Sequence, residues 1–303
     1  MRRRGRLFEA ALVAATVLAL TFLLLPLVAL FLRVPFGEFL AQLTSDVAVD
    51  ALVVTLETNV LAQALILLVG TPAAYLIASR QFRGRALAIT LIELPLVLPP
   101  AVAGLALLAA FGRLGLLGST FDVLGVTVST GTKTAVVLAV AYVASPFYVR
   151  GAIASFEALD RPLLDASRTL GAGPGRTFVR IALPLAAKGL GAAAALSFAR
   201  GIGEFGATIM FAGSLQGVTQ TISLAIYAQF DLDTDVALSL GALLVVVCAA
   251  ILFTVKLLPA WTRSGDHAHR VAARASPGRR RARVACSVRA TRSPREHIRR
   301  PRR

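Results

Sequence analysis

Charge is scarce in this chain. Asp, Glu, Lys and Arg make up 16% of the 303 residues, against 56% hydrophobic residues. Soluble domains carry roughly 25% charged and 45–50% apolar residues, so neither an ordinary soluble globule nor a disordered chain fits. Cysteine is nearly absent: Cys248 lies in an apolar run and Cys286 near the C-terminus, too few for a disulfide framework. Histidine is confined to His267, His269 and His297, with no HxxxH pair and no CxxC. That excludes the usual metal-ligand spacings, and no metal or cofactor is expected. The phosphate-binding pattern GxxxxGK[ST] is missing, so the chain is not expected to hydrolyse ATP itself. No His, Cys or paired-acid constellation supports an enzyme, and no catalytic residue is assigned.

What is present is a basic excess and long apolar runs. The net charge is +16, but fourteen arginines lie in 262–303 beside two acids, Asp266 and Glu296. That stretch alone carries +12, so the basic character belongs to an appendix and no specific nucleic-acid partner is expected. The appendix lacks the apolar residues of a folded domain. It reads as a disordered segment that is dispensable or rests on anionic lipid.

A spanning helix needs about 20 mostly apolar residues. Six stretches qualify: 7–32, 52–79, 86–111, 132–155, 185–212 and 236–258. The first is too long for a signal-peptide core. Pro95, Pro99 and Pro100 should kink or break the third. Lys and Arg gather before the first stretch, between the second and third, between the fourth and fifth, and after the sixth. The other loops hold Arg33, then Arg113 and Lys133, then none across 213–235. The positive-inside bias places both termini in the cytoplasm of a multi-pass membrane protein. Asp231, Asp233 and Asp235 form an acidic rim in 213–235, without the Gly and distal Glu of a calcium loop.

Gly201, Gly203 and Gly206 satisfy GxGxxG, but within a Gly/Ala-rich apolar stretch and not in a strand–turn–helix unit. They read as sites of close helix packing or of helix unwinding beside a pathway. The loop 156–185 is much longer than the usual connection of about 2–8 residues between packed helices. Asp160 suits an N-cap and Pro162 a first turn. Gly171, Gly173, Pro174 and Gly175 divide the segment into two short helices with spaced apolar residues. Periodicity alone leaves two readings open, a docking element for another protein and a helix pair lying on lipid.

Asp165-Ala166-Ser167, three residues, Gly171, nine residues, then Ile181-Ala182-Leu183-Pro184 resembles the EAA motif of ABC importer permeases, E-A-A-x3-G-x9-I-x-L-P. The chain departs from it at Asp165 and Ser167. The resemblance implies an all-α fold of about six transmembrane helices, the type I ABC importer permease fold. It divides the chain into an N-terminal helix and external loop (1–49), a permease domain (50–258) and the tail (259–303). It also implies that 156–185 couples the chain to a cytoplasmic ABC ATPase through Asp165, Ala166, Ser167, Leu170, Gly171, Ile181, Leu183 and Pro184. Implied further partners are a second copy of the chain, an extracytoplasmic oxyanion-binding protein and the lipid bilayer of the prokaryotic inner membrane.

Glu93 through Pro100, Ser145-Pro146-Phe147, Gly203 through Thr208 and Gln220 through Tyr227 are similar to the oxyanion branch of this family, molybdate type, over residues 50–258. Sulfate and tungstate permeases are the alternatives. An ATPase-independent ion-coupled carrier is the alternative from another class. Residues expected along the pathway are Glu93, Pro99, Pro100, Ser145, Ser197, Gly203, Glu204, Gly206 and Thr208. Ionised Glu93 and Glu204 would repel an oxyanion. They are expected to bond backbone at a broken helix or to pair with Arg200 or Arg85. Donors for the anion are expected from Ser145, Ser197, Thr208 and freed backbone N–H groups.

Overall fold

Long apolar runs with few breakers form helices, because a helix satisfies its own backbone where no water can. In a computed structural model the backbone is described for residues 2–34, 36–123 and 128–274. The helices are α1 (Arg2–Arg33), α2 (Phe36–Leu43), α3 (Asp46–Ser79), α4 (Arg85–Val97), α5 (Pro100–Phe111), α6 (Gly118–Val123) and α7 (Lys133–Glu157). They continue with α8 (Arg161–Thr169), α9 (Pro174–Thr177), a wide-turned π segment (Phe178–Ala182), α10 (Leu183–Ile202), α11 (Gly206–Phe211), α12 (Ile222–Phe230) and α13 (Thr234–Arg274). Among the described residues there is no strand. The chain forms two compact units, Met1–Lys256 and Leu257–Arg303.

Five helices, with the bent pair α4–α5 as a sixth, are long and apolar enough to cross a bilayer. The third expected span breaks at Leu98–Pro99, where α4 and α5 are bent by 114°. Proline at 99 and 100 withdraws two N–H donors at that point. The second span starts at Asp46, earlier than position 52, because Ser45 caps it: its Oγ accepts from Ala48 N at 3.3 Å. The expected domain boundary at 49/50 therefore falls inside α3. The fifth span is also corrected. It runs without interruption from Pro174 to Ile202, not from 185 to 212. The expected second short helix of 156–185 is thus the first turns of a long one. Thr234–Arg274 carries helix into the segment 259–303 that was expected to lack structure. Ala272, Ala273 and Arg274 favour helix at its end, whereas Pro259 and Gly265 within it do not. Residues 275–303 lie outside the described part.

α7 is the centre of the first unit. Its apolar window is 61% buried, against 28% or less for every other candidate span. Ala135, Ala139, Ala144 and Ala152 are all but fully buried on it, and small side chains let its neighbours come close. A Cβ on Gly151 would stand 2.6 Å from Ala193 Cβ, so α10 crosses α7 nearly backbone to backbone. Tyr148 Oη and Thr71 Oγ1 share a 2.6 Å hydrogen bond between α7 and α3. α1 differs: its window is 0% buried, and Phe22 and Leu32 are almost fully exposed. A helix apolar all round requires lipid or another chain around it.

The second half of the break, α5, is anchored by α11. A Cβ on Gly104 would lie 2.6 Å from Met210 Cβ and 2.8 Å from the Ala207 carbonyl oxygen. Gly104→Leu is therefore expected to push α5 off α11 at a cost of about 1–3 kcal/mol. Thermal unfolding of the purified chain in detergent checks this. An unchanged midpoint would show that the contact can open freely.

Candidate functional site

Two places gather the expected residues. The first is the segment between α7 and α10. Helix α8 starts directly after Asp160, and Leu163 N donates to the Asp160 carbonyl at 3.1 Å. It ends at a left-handed residue, Gly171, with φ +86°. Ala172 N donates back to the Ser167 carbonyl at 3.0 Å, the six-to-one bond of a Schellman cap. Glycine at 171 follows from this, since an L side chain in that conformation costs about 1–2 kcal/mol.

Ser167 is buried. Its hydroxyl donates to the Leu164 carbonyl at 2.7 Å and shares a 3.2 Å contact with Thr177 Oγ1. Serine at this motif position thus ties α8 to α9 across the turn. Beneath it, Phe178 packs on Tyr75 with ring centres 4.7 Å apart, and Tyr75 meets Phe156 edge-on at 5.3 Å. Leu164 and Leu183 join the same core, and Ile181 is half-buried. Asp165, Ala166, Leu170 and Pro184 are exposed, Leu170 by 88%. So the segment has a fixed base and an apolar knob at its tip. A cavity of about 140 Å³ opens beside it, with Asp165, Glu157, Tyr75 and Leu164 in its wall. Glu157 is paired there with Arg85, whose Nε also donates to the Ile77 carbonyl at 2.9 Å.

The second place is where two broken helices meet. Gly206 starts α11 against Pro100, which starts the second half of the α4–α5 pair: a Cβ on Gly206 would lie 2.4 Å from Pro100 Cβ. The chain leaves α10 at Gly203. Glu204 then turns its carboxylate inward, with only 1% of its side chain exposed. Its Oε1 accepts from Ala207 N at 2.9 Å, and its Oε2 lies 2.7 Å from an Arg200 guanidinium nitrogen. Glu204 therefore both bonds backbone at the break and pairs with Arg200. Glu93 pairs instead with Arg150, at 2.7 Å. Sequence spacing does not reveal that partner, because it lies on another helix.

Two expected donors are corrected. Ser145 Oγ donates at 3.2 Å to the Tyr142 carbonyl, which Pro146 leaves without its helical N–H. Ser197 Oγ donates at 2.8 Å to the Ala144 carbonyl across the α10–α7 contact. Neither hydroxyl proton is left for an anion. Thr208 Oγ1 is buried and has no hydrogen-bond partner. Pro99 and Gly203 mark the two breaks without side-chain donors. Asn59, not anticipated, is buried against Gly201. A polar amide within an apolar run was the signal for it. Asp233 Oδ1 accepts from Asp235 N at 3.0 Å and Val236 N at 3.2 Å, so one aspartate of the acidic rim caps α13. Among the described residues no cluster of three metal-ligating side chains occurs.

The family described as binding-protein-dependent transport system inner membrane component matches residues 66–263. The molybdenum transport system permease protein of Mycobacterium tuberculosis is 41% identical over 78% of this chain and 89% of its own length. The protein of the same description from Escherichia coli is 37% identical over 73% of this chain and 95% of its own. Among solved structures, a chain of the bacterial alginate ABC transporter in complex with alginate pentasaccharide-bound periplasmic protein superposes with a TM-score of 0.66. It is 19% identical and covers 84% of this chain and 93% of its own. A chain of the inward-facing methionine ABC transporter gives 0.55, at 16% identity, with 70% and 94% covered. These structural likenesses establish the arrangement of helices.

Proposed function

This chain belongs to the binding-protein-dependent transport system inner membrane component family, and we propose that it is the membrane subunit of an ATP-driven importer of molybdate. The observation that carries the substrate is the 41% identity to a molybdenum permease over most of both chains. The fold is that of a type I ABC importer permease, and the helices span the membrane.

Within that reading 156–185 docks on a separate ATPase subunit. The exposed Leu170 beside the Gly171 cap supplies the apolar knob, and the aromatic base transmits its position to α3 and α7. ATP is hydrolysed on the partner, and this subunit is not catalytic. An extracytoplasmic binding protein delivers the anion. A second copy of the chain completes the pathway; the bare apolar surface of α1 is consistent with a partner around it. The distribution of Lys and Arg supports a cytoplasmic position for both termini. An ATPase-independent carrier has less support, because such carriers bury several ionisable groups and here each acid of the breaks is already paired.

Labelled molybdate uptake tests this, in cells lacking the chain and in cells with it restored, under excess sulfate. Uptake is expected to vanish, return, and resist sulfate. Uptake unaffected by the deletion, or abolished by sulfate, would move the substrate to sulfate or another oxyanion.

A further inference from the structure

The anion path should carry donors, yet the serines expected there are engaged with carbonyls. Beside the buried, unpartnered hydroxyl of Thr208, the donors that remain near the two breaks are guanidinium groups. Arg200 borders a cavity of about 140 Å³ that is otherwise lined by prolines and apolar residues, including Pro95, Pro100, Val143 and Phe147. That is several times the roughly 30 Å³ that one water occupies in the liquid. Val143, Phe147 and Arg150 follow one another at i, i+4 and i+7 on α7, one helix face. Arg150 therefore lies about 4.5 Å further along α7 than Phe147, next in line from the Arg200 cavity. Both arginines keep an open side: Arg200 is 31% and Arg150 53% exposed, whereas Glu204 is 1% exposed.

We propose that Arg200 and Arg150 are two successive stations for the oxyanion, each covered by its own glutamate between passages. This rests on the oxyanion-importer reading above. A guanidinium presents paired N–H donors that match two oxygens of a tetrahedral oxyanion. The glutamates keep the wall neutral, so that the anion is bound weakly enough to leave, which conduction requires. When Arg200 turns away, Ala207 N still donates to the other oxygen of Glu204 and holds the carboxylate in place. Arg85 is not a station. Its Nε is committed to the Ile77 carbonyl and its guanidinium to Glu157.

The test uses the whole transporter in proteoliposomes, with labelled molybdate on its binding protein. Two double variants, Arg200→Gln with Glu204→Gln and Arg150→Gln with Glu93→Gln, each remove a pair without leaving a lone charge. Each is expected to lower the maximal uptake rate at least about tenfold, the worth of a charge-assisted hydrogen bond. The concentration of loaded binding protein giving half the maximal rate should stay the same. A wild-type maximal rate in either double variant would reduce that pair to a structural tie and overturn its station. If a double variant does not assemble, Arg200→Lys or Arg150→Lys decides. Lysine keeps the charge and loses the fork, so a clear fall in rate is expected and an unchanged rate overturns the station. Failure of the wild type to import molybdate, tungstate or sulfate would instead refute the importer reading.

Discussion

Replacing Leu170 with aspartate is expected to abolish ATPase-driven uptake while the chain still reaches the membrane in normal amount. Leu170 is 88% exposed at the tip of a segment whose base is fixed by the Ser167–Thr177 contact and the Tyr75, Phe156 and Phe178 rings. Its burial in a groove of the ATPase would make it an anchor. Losing such an anchor costs about 2–4 kcal/mol, roughly a 30- to 1,000-fold weaker association. A carboxylate there adds a desolvation penalty. The change touches no core contact, so folding should be unaffected. Co-purification of the ATPase with the variant is the measurement. Full recovery of the ATPase would mean that the tip does not dock.

Glu204→Ala is expected to destabilise the chain by about 2–3 kcal/mol. Part of this, about 1 kcal/mol, is the lost acceptor for Ala207 N at the start of α11. The rest is the lost partner of Arg200. Removing one member of a fully buried pair costs about 3–5 kcal/mol, but Arg200 is 31% exposed and solvent recovers part of that. Glu204→Gln separates the two contributions, because the amide oxygen can still accept from Ala207 N. It should retain about 1 kcal/mol more than the alanine variant. Thermal unfolding in detergent reads both, and equal midpoints for the two variants would remove the capping role.

The helices were legible in the sequence where hydropathy alone decides. The apolar runs of α1, α7 and α13 announced themselves, and Pro95, Pro99 and Pro100 announced a break. The errors lie where polar residues belong to a helix. Asp46 and Asp50 hid the first turns of α3, and Arg176 and Arg180 hid the start of the helix that includes α10. Its far end was overrun because Phe205 and Met210 keep the hydropathy high past the turn at Gly203–Phe205. The motif glycine was legible too, and its reason is the left-handed cap. The partners of the acids were less so. Arg200 is four residues from Glu204 and within reach of one helical turn. Arg150 faces Glu93 only after α4 has packed on α7, which no local spacing encodes. The hydroxyls of Ser145 and Ser197 looked free because sequence does not say which carbonyl a proline or a helix crossing leaves open.

One rod joins the docking segment to the break. The helix from Pro174 to Ile202 is 29 residues long, and it is clamped along α7 at Gly189 on Ser155, Ala193 on Gly151, Ser197 on Ala144 and Gly201 on Val140. At 1.5 Å per residue the clamp runs for about 18 Å, and the Pro174 end overhangs it by about 22 Å. The rod therefore has no single pivot. A push at the overhang carries α7 with it, and Gly201–Glu204 travels as far as the docking end does.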